Sequence, residues 1–486
     1  MPNTKRLTGV GTKHWKQAVP KHLAAPLKKA LDASEAGNVG EALKWFGICA
    51  NKCEGLNDPH IRPILYFGSQ AASTAYFGLR GAGQEVPQAH LDQWKWCAKS
   101  LIEACWQVCP TDPVAAHNYG RFLHDCDDWE AAMGMYRMAL QLKPEQVESW
   151  GNLGTAYANL GDRDAAARCW MKCTAFEPEN PSGALAQAYV WLRNGDYVKG
   201  WKAWEHRWQD AEFGAGYGRK ELTGIRWTGQ PLKATDTLYV HGEQGLGDHV
   251  MFARYVPLLI ERGITVVALE TRPSLVRWME DALPGVPIIA RRDGADHIPE
   301  HTHHVSSMSL PYLLGSTTAT VPQPVAPSLS RERPAAARKR IALAWCGATG
   351  NPADNVRSVS AHDLQVLAGL DVEWVNVQFT PDSDMILRSW LGTDTIDATA
   401  TCKDVRDTAQ VLVDCDLVVT VDTLTAHLAG SLGVPTIALH RFDREWRWFE
   451  AEPERSIWYP SHQQWTQELP YDWASLLQRV RAELSK

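Results

Sequence analysis

The sequence predicts two architectures in series: a solenoid of helical hairpins over 1–218, then two parallel-sheet strand–helix domains at 219–335 and 336–486. Three observations predict it. Segments 113–146 and 147–180 align with each other at a period of about 34 residues. After about residue 219, short apolar strands alternate with amphipathic helical stretches, as in a parallel sheet. A proline-rich stretch at 318–340 interrupts the alternation, which then restarts.

Composition supports this division. A chain of 486 residues is too long for one hydrophobic core. Its 45% hydrophobic and 22% charged residues are the balance of an ordinary folded protein. The formal net charge of -7 argues against non-specific nucleic-acid binding by the whole chain. The opening MPNTKRLTGVGTKHWKQ has no apolar run of the signal-peptide kind, and no stretch approaches bilayer length, so a cytoplasmic protein is expected. The 11 cysteines include the pairs Cys49/Cys53, Cys105/Cys109 and Cys169/Cys173, each on one face of a predicted helix. With no C-x-x-C spacing, they read as reduced thiols filling a helical core rather than as a metal site.

In the first half, Trp150, Leu153, Gly154, Tyr157, Ala166, Trp170 and Pro178 of one segment occupy alternating large, small and helix-stopping positions. Tyr119, Gly120, Ala132, Tyr136, Ala139 and Pro144 repeat that register in the segment before it. Small residues let the two helices of a hairpin approach, aromatics fill the space to the next hairpin, and proline ends the second helix. This is the tetratricopeptide pattern. Fainter hairpins flank it at 183–208, turning at Asn194-Gly195-Asp196 and carrying Trp191, Trp201, Trp204 and Trp208; at 21–53, turning at Gly37-Asn38; and at 61–109, interrupted by GLRGAGQEVPQAH. Such an array either offers a concave surface to a peptide or protein partner or buttresses the domain that follows, and the residues leave both open.

In the second half, DTLYVH, TVVALE and PIIA read as strands, with helices over HVMFARYVPLLIERG, residues 249–263, and at 274–283. Beyond the linker come IALAWCG, a helix at 361–369, VEWVNVQ, a helix at 404–413, DLVVTVD, a helix at 423–432, PTIALH and a closing helix at 472–484. Two such layers leave a cleft at the carboxyl ends of their strands, where open parallel sheets bind ligands. The glycines at 242, 245 and 247 in LYVHGEQGLGDHVMF give neither G-x-G-x-x-G nor a P-loop, which argues against a dinucleotide or a triphosphate.

The stretch DLVVTVDTLTAHLAGSLGVPTIAL, with Asp422-Thr423 ending a strand and His427 following, resembles the donor-site signature of glycosyltransferase family 9, the ADP-heptose heptosyltransferases. The turn GLGDHVMFARYVP is similar to the same group's amino-terminal Gly-Asp turn, and EWRWFEAEPERSIWYPSHQQW looks like the tryptophan-rich tail of repeat-fused members. The resemblance covers roughly 230–486; a more distant similarity is to the architecture of protein O-GlcNAc transferase. It implies a GT-B pair of Rossmann-like domains, the acceptor approached from the first and a nucleotide-diphospho-sugar bound by the second. No metal or other cofactor is implied, the nucleotide-sugar being a substrate.

The resemblance also implies roles. Asp422, Thr423, Leu424 and His427 would line the diphosphate, where the start of a helix supplies unpaired N–H groups and a positive dipole end. Arg357, in NPADNVRSVS, would add a permanent charge with forked donors, and Gln378 would contact base or ribose. Asp248 would be the base that deprotonates the acceptor hydroxyl, with Gly245 and Gly247 letting backbone approach the ligands. Each residue also has a plain structural reading: helix capping for Asp248, Asp422 and Thr423, core packing for His427, a solvated surface for Arg357. Two features depart from the family pattern: WCGATGNPADN stands where a shorter Trp-x-Gly-Asn stretch is usual, and Leu424 where glycine follows the Asp-Thr pair.

Two further motifs suggest metals. Asp414-Cys415-Asp416 spells D-x-D but joins a helix to a strand, which favours capping. His297, His301, His303 and His304 lack a fixed ligand spacing and read as acceptor-side or surface groups. The leading expectation is a metal-independent inverting glycosyltransferase whose repeats hold a protein, peptide or glycan acceptor. The alternative is an inactive GT-B scaffold for protein interaction.

Overall fold

The computed structural model describes residues 21–35, 41, 44–45, 48–49, 52, 88–126, 128–160, 162–177, 181–209, 222–292, 294, 297–333, 338–347, 357–392, 394–442, 444–448, 454–469 and 471–486. The predicted turn at 37–38, residues 78–87 of the predicted interruption at 78–90, and the loop 348–356 lie outside these residues, while 88–90 begin a helix instead. The chain divides into two compact units, Met1–Pro178 and Glu179–Lys486.

The first unit is helical: α1 (Lys21–Glu35), α2 (Gln88–Val108), α3 (Pro113–Asp125), α4 (Trp129–Leu142), α5 (Val147–Asn159) and α6 (Arg163–Phe176). Helices α3–α4 and α5–α6 are the two predicted hairpins, and α4 also packs on α5, so the hairpins stack. Asp112, Asp128 and Asp162 start α3, α4 and α6, each carboxylate accepting from a backbone N–H of the first turn, and Pro113 follows its cap where no N–H is needed. The glycines act as spacers between helices. A Cβ at Gly120 would lie 2.8 Å from the ring of the fully buried Tyr136, and one at Gly154 would lie 2.5 Å from Nε1 of Trp170. Trp170 Nε1 donates to the Gly151 carbonyl and Trp150 Nε1 to that of Pro144, so both indoles pack without an unmet donor.

Cys169 and Cys173 lie buried on one face of α6. Burial pushes the Cys169 thiol up to about 11 and the Cys173 thiol up to about 12. This matches the core-filling role read from the spacing.

The second unit begins earlier than the change in composition at 219. Helices α7 (Pro181–Arg193) and α8 (Tyr197–Trp204) form the hairpin predicted at 183–208, turning at Gly195 with φ +78°. They belong to the sheet-containing unit because Trp201 makes edge contacts with Phe252 at 5.9 Å and Trp446 at 5.4 Å, and Trp204 lies 5.8 Å from Trp446. Both indoles are buried. Their apolar area is covered by side chains of this unit, and large aromatics dominate such packing.

Two all-parallel sheets follow. The first contains β1 (Ile225–Arg226), β2 (Thr237–His241), β3 (Thr265–Thr271), β4 (Ile288–Ala290) and β5 (His303–Ser306) in the order β1-β5-β2-β3-β4. The second contains β6 (Arg340–Ala344), β7 (Glu373–Asn376), β8 (Ile396–Asp397), β9 (Leu417–Val421), β10 (Thr436–His440) and β11 (His462–Thr466) in the order β11-β10-β9-β6-β7-β8. The second order is that of a complete dinucleotide-binding sheet, with the reversal between β6 and β9; the first sheet reverses between β2 and β5. The layers are completed by α9 (Leu246–Phe252), α10 (Val256–Glu261), α11 (Val276–Ala282), α12 (Leu310–Leu313), α13 (Ser383–Leu391), α14 (Val405–Val413), α15 (Leu424–Ser431) and α16 (Trp473–Leu484).

Several elements depart from expectation, among them the short strands β1 and β8 and helix α12, none of which was anticipated. The helix at 361–369 is a short 3-10 turn, Asp363–Leu367, ended at Gly369 with φ +76°. Helix α13 was not anticipated. Strand β11 buries His462 and Gln464 and exposes Gln463, so its inward face is polar and carries no hydrophobic alternation to read. The proline-rich stretch is a strap: Val321, Val325, Ala326 and Leu329 pack on the core, and Arg331 and Arg333 pair with Asp416 at 2.5 and 3.1 Å.

Substituting Gly120→Ala is expected to cost about 1–3 kcal/mol by overpacking Tyr136. Gly134→Ala, exposed within α4 with open space at its Cβ, is expected to gain about 0.5–1 kcal/mol. Urea unfolding followed by circular dichroism distinguishes the two. Cys169 and Cys173 are expected to resist iodoacetamide at neutral pH until urea is added, read by mass spectrometry.

Candidate functional site

The loop after β2 is built on close approaches. At Gly242 an added Cβ would fall 1.9 Å from Cε1 of His249, whose Nδ1 lies 2.9 Å from the Thr271 hydroxyl, so no side chain fits there. Gln244 takes the left-handed region at φ +64°, uncommon for a residue with a side chain. Glu243 is buried, and Arg207 grips both its oxygens, Nε to Oε1 and Nη2 to Oε2, each at 2.9 Å. Ser306 donates to the same carboxylate, and Arg207 Nη2 also reaches Ser309 at 2.8 Å. This bidentate pair fixes the loop from the 3-10 turn that follows α8. At the loop's end the helix is capped at Gly245 rather than at Asp248; Asp248, three residues in, is not the N-cap, and its Oδ2 accepts from the Gly245 N–H at 3.0 Å.

The loop after β9 runs through Asp422 and Thr423 into α15. Thr423 makes no side-chain cap; its hydroxyl lies 3.3 Å from that of Thr420 and 3.4 Å from the Val421 carbonyl. The first amides of α15 are thus left without the usual hydroxyl acceptor. Leu424, the first helical residue, packs in part on the core. His427 is only 4% exposed; its ring stacks on Trp448 at 5.2 Å, and its Nδ1 lies 3.0 Å from the Tyr459 hydroxyl.

These two loops meet. A Cβ at Gly247 would lie 2.4 Å from Cδ2 and 3.0 Å from Nε2 of His427, so the glycine backbone rests on the imidazole edge. Helices α9 and α15 pack together, and beside them Arg277 pairs with Asp404 and Asp407, and Arg406 with Asp281, across α11 and α14.

Arg447 bridges the loops from the tryptophan-rich tail. Its Nη2 lies 2.6 Å and its Nε 2.8 Å from Asp248 Oδ1, its Nη2 reaches Gln244 Oε1 at 3.0 Å, and its Nη1 pairs with Glu445. The guanidinium sits over Trp446 at 4.3 Å, and both members of the Arg447–Asp248 pair are 12% exposed. Sequence reasoning did not single out Arg447, Glu445, Glu243 or Gln244. The only signal was the charged triplet within EWRWFE, which the resemblance marked for its tryptophans.

The electrostatics follow from this crowding. Burial raises the Asp422 carboxyl above its ordinary range, against the pull of Arg447 and Arg357. Glu445 is raised for the same reason, again opposed by Arg447. Burial alone would lower Arg447, but Asp248, Glu445 and Asp422 together hold it above the ordinary guanidinium range. His427 is held well below the usual imidazole range by burial and by Arg447, and is neutral at pH 7.

The remaining sequence-derived residues sit as follows. Arg357 is carried back to the end of β6 because the Gly347 N–H donates to Ser358 Oγ and the Val359 N–H to the Trp345 carbonyl; its charge acts on Asp422. Gln378 is buried and spends its side-chain oxygen on the N–H groups of Trp345 and Cys346, both at 3.0 Å, so that oxygen shapes the loop after β6. The D-x-D carboxylates are taken up by the strap: Asp414 accepts from the Glu332 N–H, and Asp416 from Arg331, Arg333 and the Arg340 N–H. The histidines read as surface groups lie in or against the first sheet. His303 is buried in β5, His301 stacks on Tyr239 at 5.1 Å, and His304, pushed down to about 4 by burial, lies 5.7 Å from His241. Tyr239 and His241 alternate onto the same side of β2, so the histidines pack ring against ring there, and Tyr239 donates its hydroxyl to Glu270. Among the described residues, no group of three or more histidine, cysteine, aspartate or glutamate side chains is placed to hold a metal ion. Nor is any described helix long and apolar enough to cross a membrane.

The chain is 26% identical over 427 residues to Protein FlbA of Caulobacter vibrioides, an alignment covering 80% of this chain and 69% of that protein. No protein-family model matches it. Among solved structures, it is similar to MamA from Desulfovibrio magneticus at 16% identity, covering 41% of this chain and 99% of that one with a TM-score of 0.30. It is also similar to a tetratricopeptide repeat protein from Parabacteroides merdae at 14%, covering 38% and 66% with a TM-score of 0.31. Pseudomonas aeruginosa pilF matches at 16%, covering 51% and 87% with a TM-score of 0.30. Similarity at this level adds nothing to the helical hairpins and parallel sheets already described.

Gly247→Ala is expected to cost about 1–3 kcal/mol, because His427 is held by Tyr459 and Trp448 and cannot yield. Gly245→Ala, whose Cβ would meet nothing nearer than Asp248 Oδ2 at 3.5 Å, is expected to stay within about 0.5 kcal/mol. Thermal unfolding of the two variants beside the parent chain measures the difference.

Proposed function

We propose that the chain is a metal-independent, inverting glycosyltransferase that uses a nucleotide-diphospho-sugar, with the two sheets paired as a GT-B fold and the helical array recruiting the acceptor. The observation that carries this reading is the convergence of Asp248 with Asp422, Arg357 and Arg447 where the loops after β2 and β9 meet, each loop beside the strand at which its sheet reverses. In a single displacement, the acceptor oxygen forms a bond to the anomeric carbon as the bond from that carbon to the diphosphate oxygen breaks. The acceptor proton passes to Asp248, and the charge left on the diphosphate is met by Arg357, Arg447 and the uncapped start of α15. His427, neutral and wedged beneath Gly247, positions the turn.

A second reading, a scaffold that keeps the fold without the chemistry, is favoured by one observation. Asp248 already accepts from Arg447 at one oxygen and from the Gly245 N–H at the other, so both oxygens are engaged before any acceptor arrives.

A thermal-shift titration with ADP, UDP, GDP and CMP and their sugar conjugates separates the two. A working donor site raises the melting temperature with one base, by about 2.7 kcal/mol of stabilisation at a hundredfold excess over Kd. Arg357→Ala is expected to abolish the shift. A folded chain that responds to none of these compounds is a scaffold.

A further inference from the structure

Arg447 occupies a position that neither the capping nor the packing reading explains. A surface arginine needs no such site, and Arg207, the structural arginine that grips the same loop, closes its fork on both oxygens of Glu243 and gives its Nη1 to Glu205. The Arg447 guanidinium is instead shared by Asp248, Glu445 and the amide oxygen of Gln244, while Asp422 acts on it from the loop after β9. Three carboxylates thus face two guanidinium groups, those of Arg447 and Arg357. The set is short of positive charge unless one carboxylate is discharged. Its central pair, Arg447 and Asp248, is little exposed to water, so a change of charge on either is balanced largely by the groups around it.

On the transferase reading given above, we propose that Arg447 is a positioning residue that holds the base in reserve. Before a donor binds, it clamps Asp248 as an ion pair. The diphosphate of a nucleotide-sugar then competes for the same forked donors. Asp248 gives up Arg447 as it takes the acceptor proton, because the neutral carboxylic acid no longer competes with the phosphate oxygens. The clamp therefore couples proton uptake at Asp248 to charge stabilisation of the leaving group through one side chain. Gln244, in its left-handed conformation and bonded to the same guanidinium, ties the shape of the glycine loop to where Arg447 points.

The exchange has a signature that a structural ion pair lacks. Asp248→Asn reproduces the discharged carboxyl and keeps an oxygen for the Gly245 N–H, so it releases Arg447 without removing the cap. Calorimetric titration with ADP, UDP, GDP, CDP and inorganic pyrophosphate is made on the parent chain, Asp248→Asn, Arg447→Gln and Arg447→Lys, with circular dichroism as the check of folding. The expected result is diphosphate binding that tightens on the order of tenfold in Asp248→Asn and weakens by at least as much in Arg447→Gln, the scale of one charge-assisted hydrogen bond, with Arg447→Lys between. If Arg447→Gln does not fold, the Asp248→Asn result decides alone. Unchanged or weaker diphosphate binding in Asp248→Asn, with the parent chain binding normally, overturns the clamp and leaves the donor site standing. A folded parent chain that binds none of the five probes overturns both.

Discussion

The geometry of the second unit depends on the absence of a side chain at residue 247. Because Gly247 carries no Cβ, the loop after β2 comes down onto the edge of His427, and α9 packs on α15. The approach is possible only because His427 is itself fixed, with Trp448 against its face and Tyr459 at its Nδ1. Everything charged at the junction follows from it. Asp248, one residue on, is brought within reach of Arg447, and Arg447 within the field of Asp422.

A junction this dry demands that its charges be paired. Arg207 with Glu243 and Arg447 with Asp248 are two solutions to that demand on the same loop, and they differ in kind. The first is a closed fork, Nε and Nη2 each on its own oxygen of Glu243 and Nη1 on Glu205, with Ser306 and Ser309 completing the set. The second is an open one, Nε and Nη2 of Arg447 converging on a single oxygen of Asp248 and the rest shared between Gln244 and Glu445, with part-buried carboxyls beside it raised above their ordinary range. Closed pairs hold a loop in place. Open ones can change partners.

Around this junction, aromatic side chains supply the bulk. Trp201 and Trp204 from α8, Phe252 from α9, and Trp446, Trp448 and Trp458 from the tail are buried. Arg254 threads between them and spends its guanidinium on the carbonyls of Met251, Trp458 and Pro322, tying tail and strap to the first sheet. The tail is thus structural along most of its length, and Arg447 is where it meets the glycine loop.

The sequence by itself determined the hairpins at 113–146, 147–180 and 183–208 and seven of the strands, because these rest on local periodicity, whereas the order of strands within each sheet came only with the tertiary structure. Gly120, Gly154 and the capping aspartates mark the hairpins, and apolar runs such as LYV and LVVTV mark buried parallel strands. It also supplied Asp248, Asp422 and His427, through motif spacing. Tertiary structure alone decided which unit the hairpin 181–204 joins, because tryptophan on a helix face does not name its partner. It placed Asp416 under Arg331 and Arg333 and Asp414 on the Glu332 N–H, and turned the Gln378 oxygen inward, since all depend on groups 32 to 85 residues away. It brought Arg447 to Asp248 across 199 residues of chain. An ion pair is a matter of distance in space, and no periodicity encodes it.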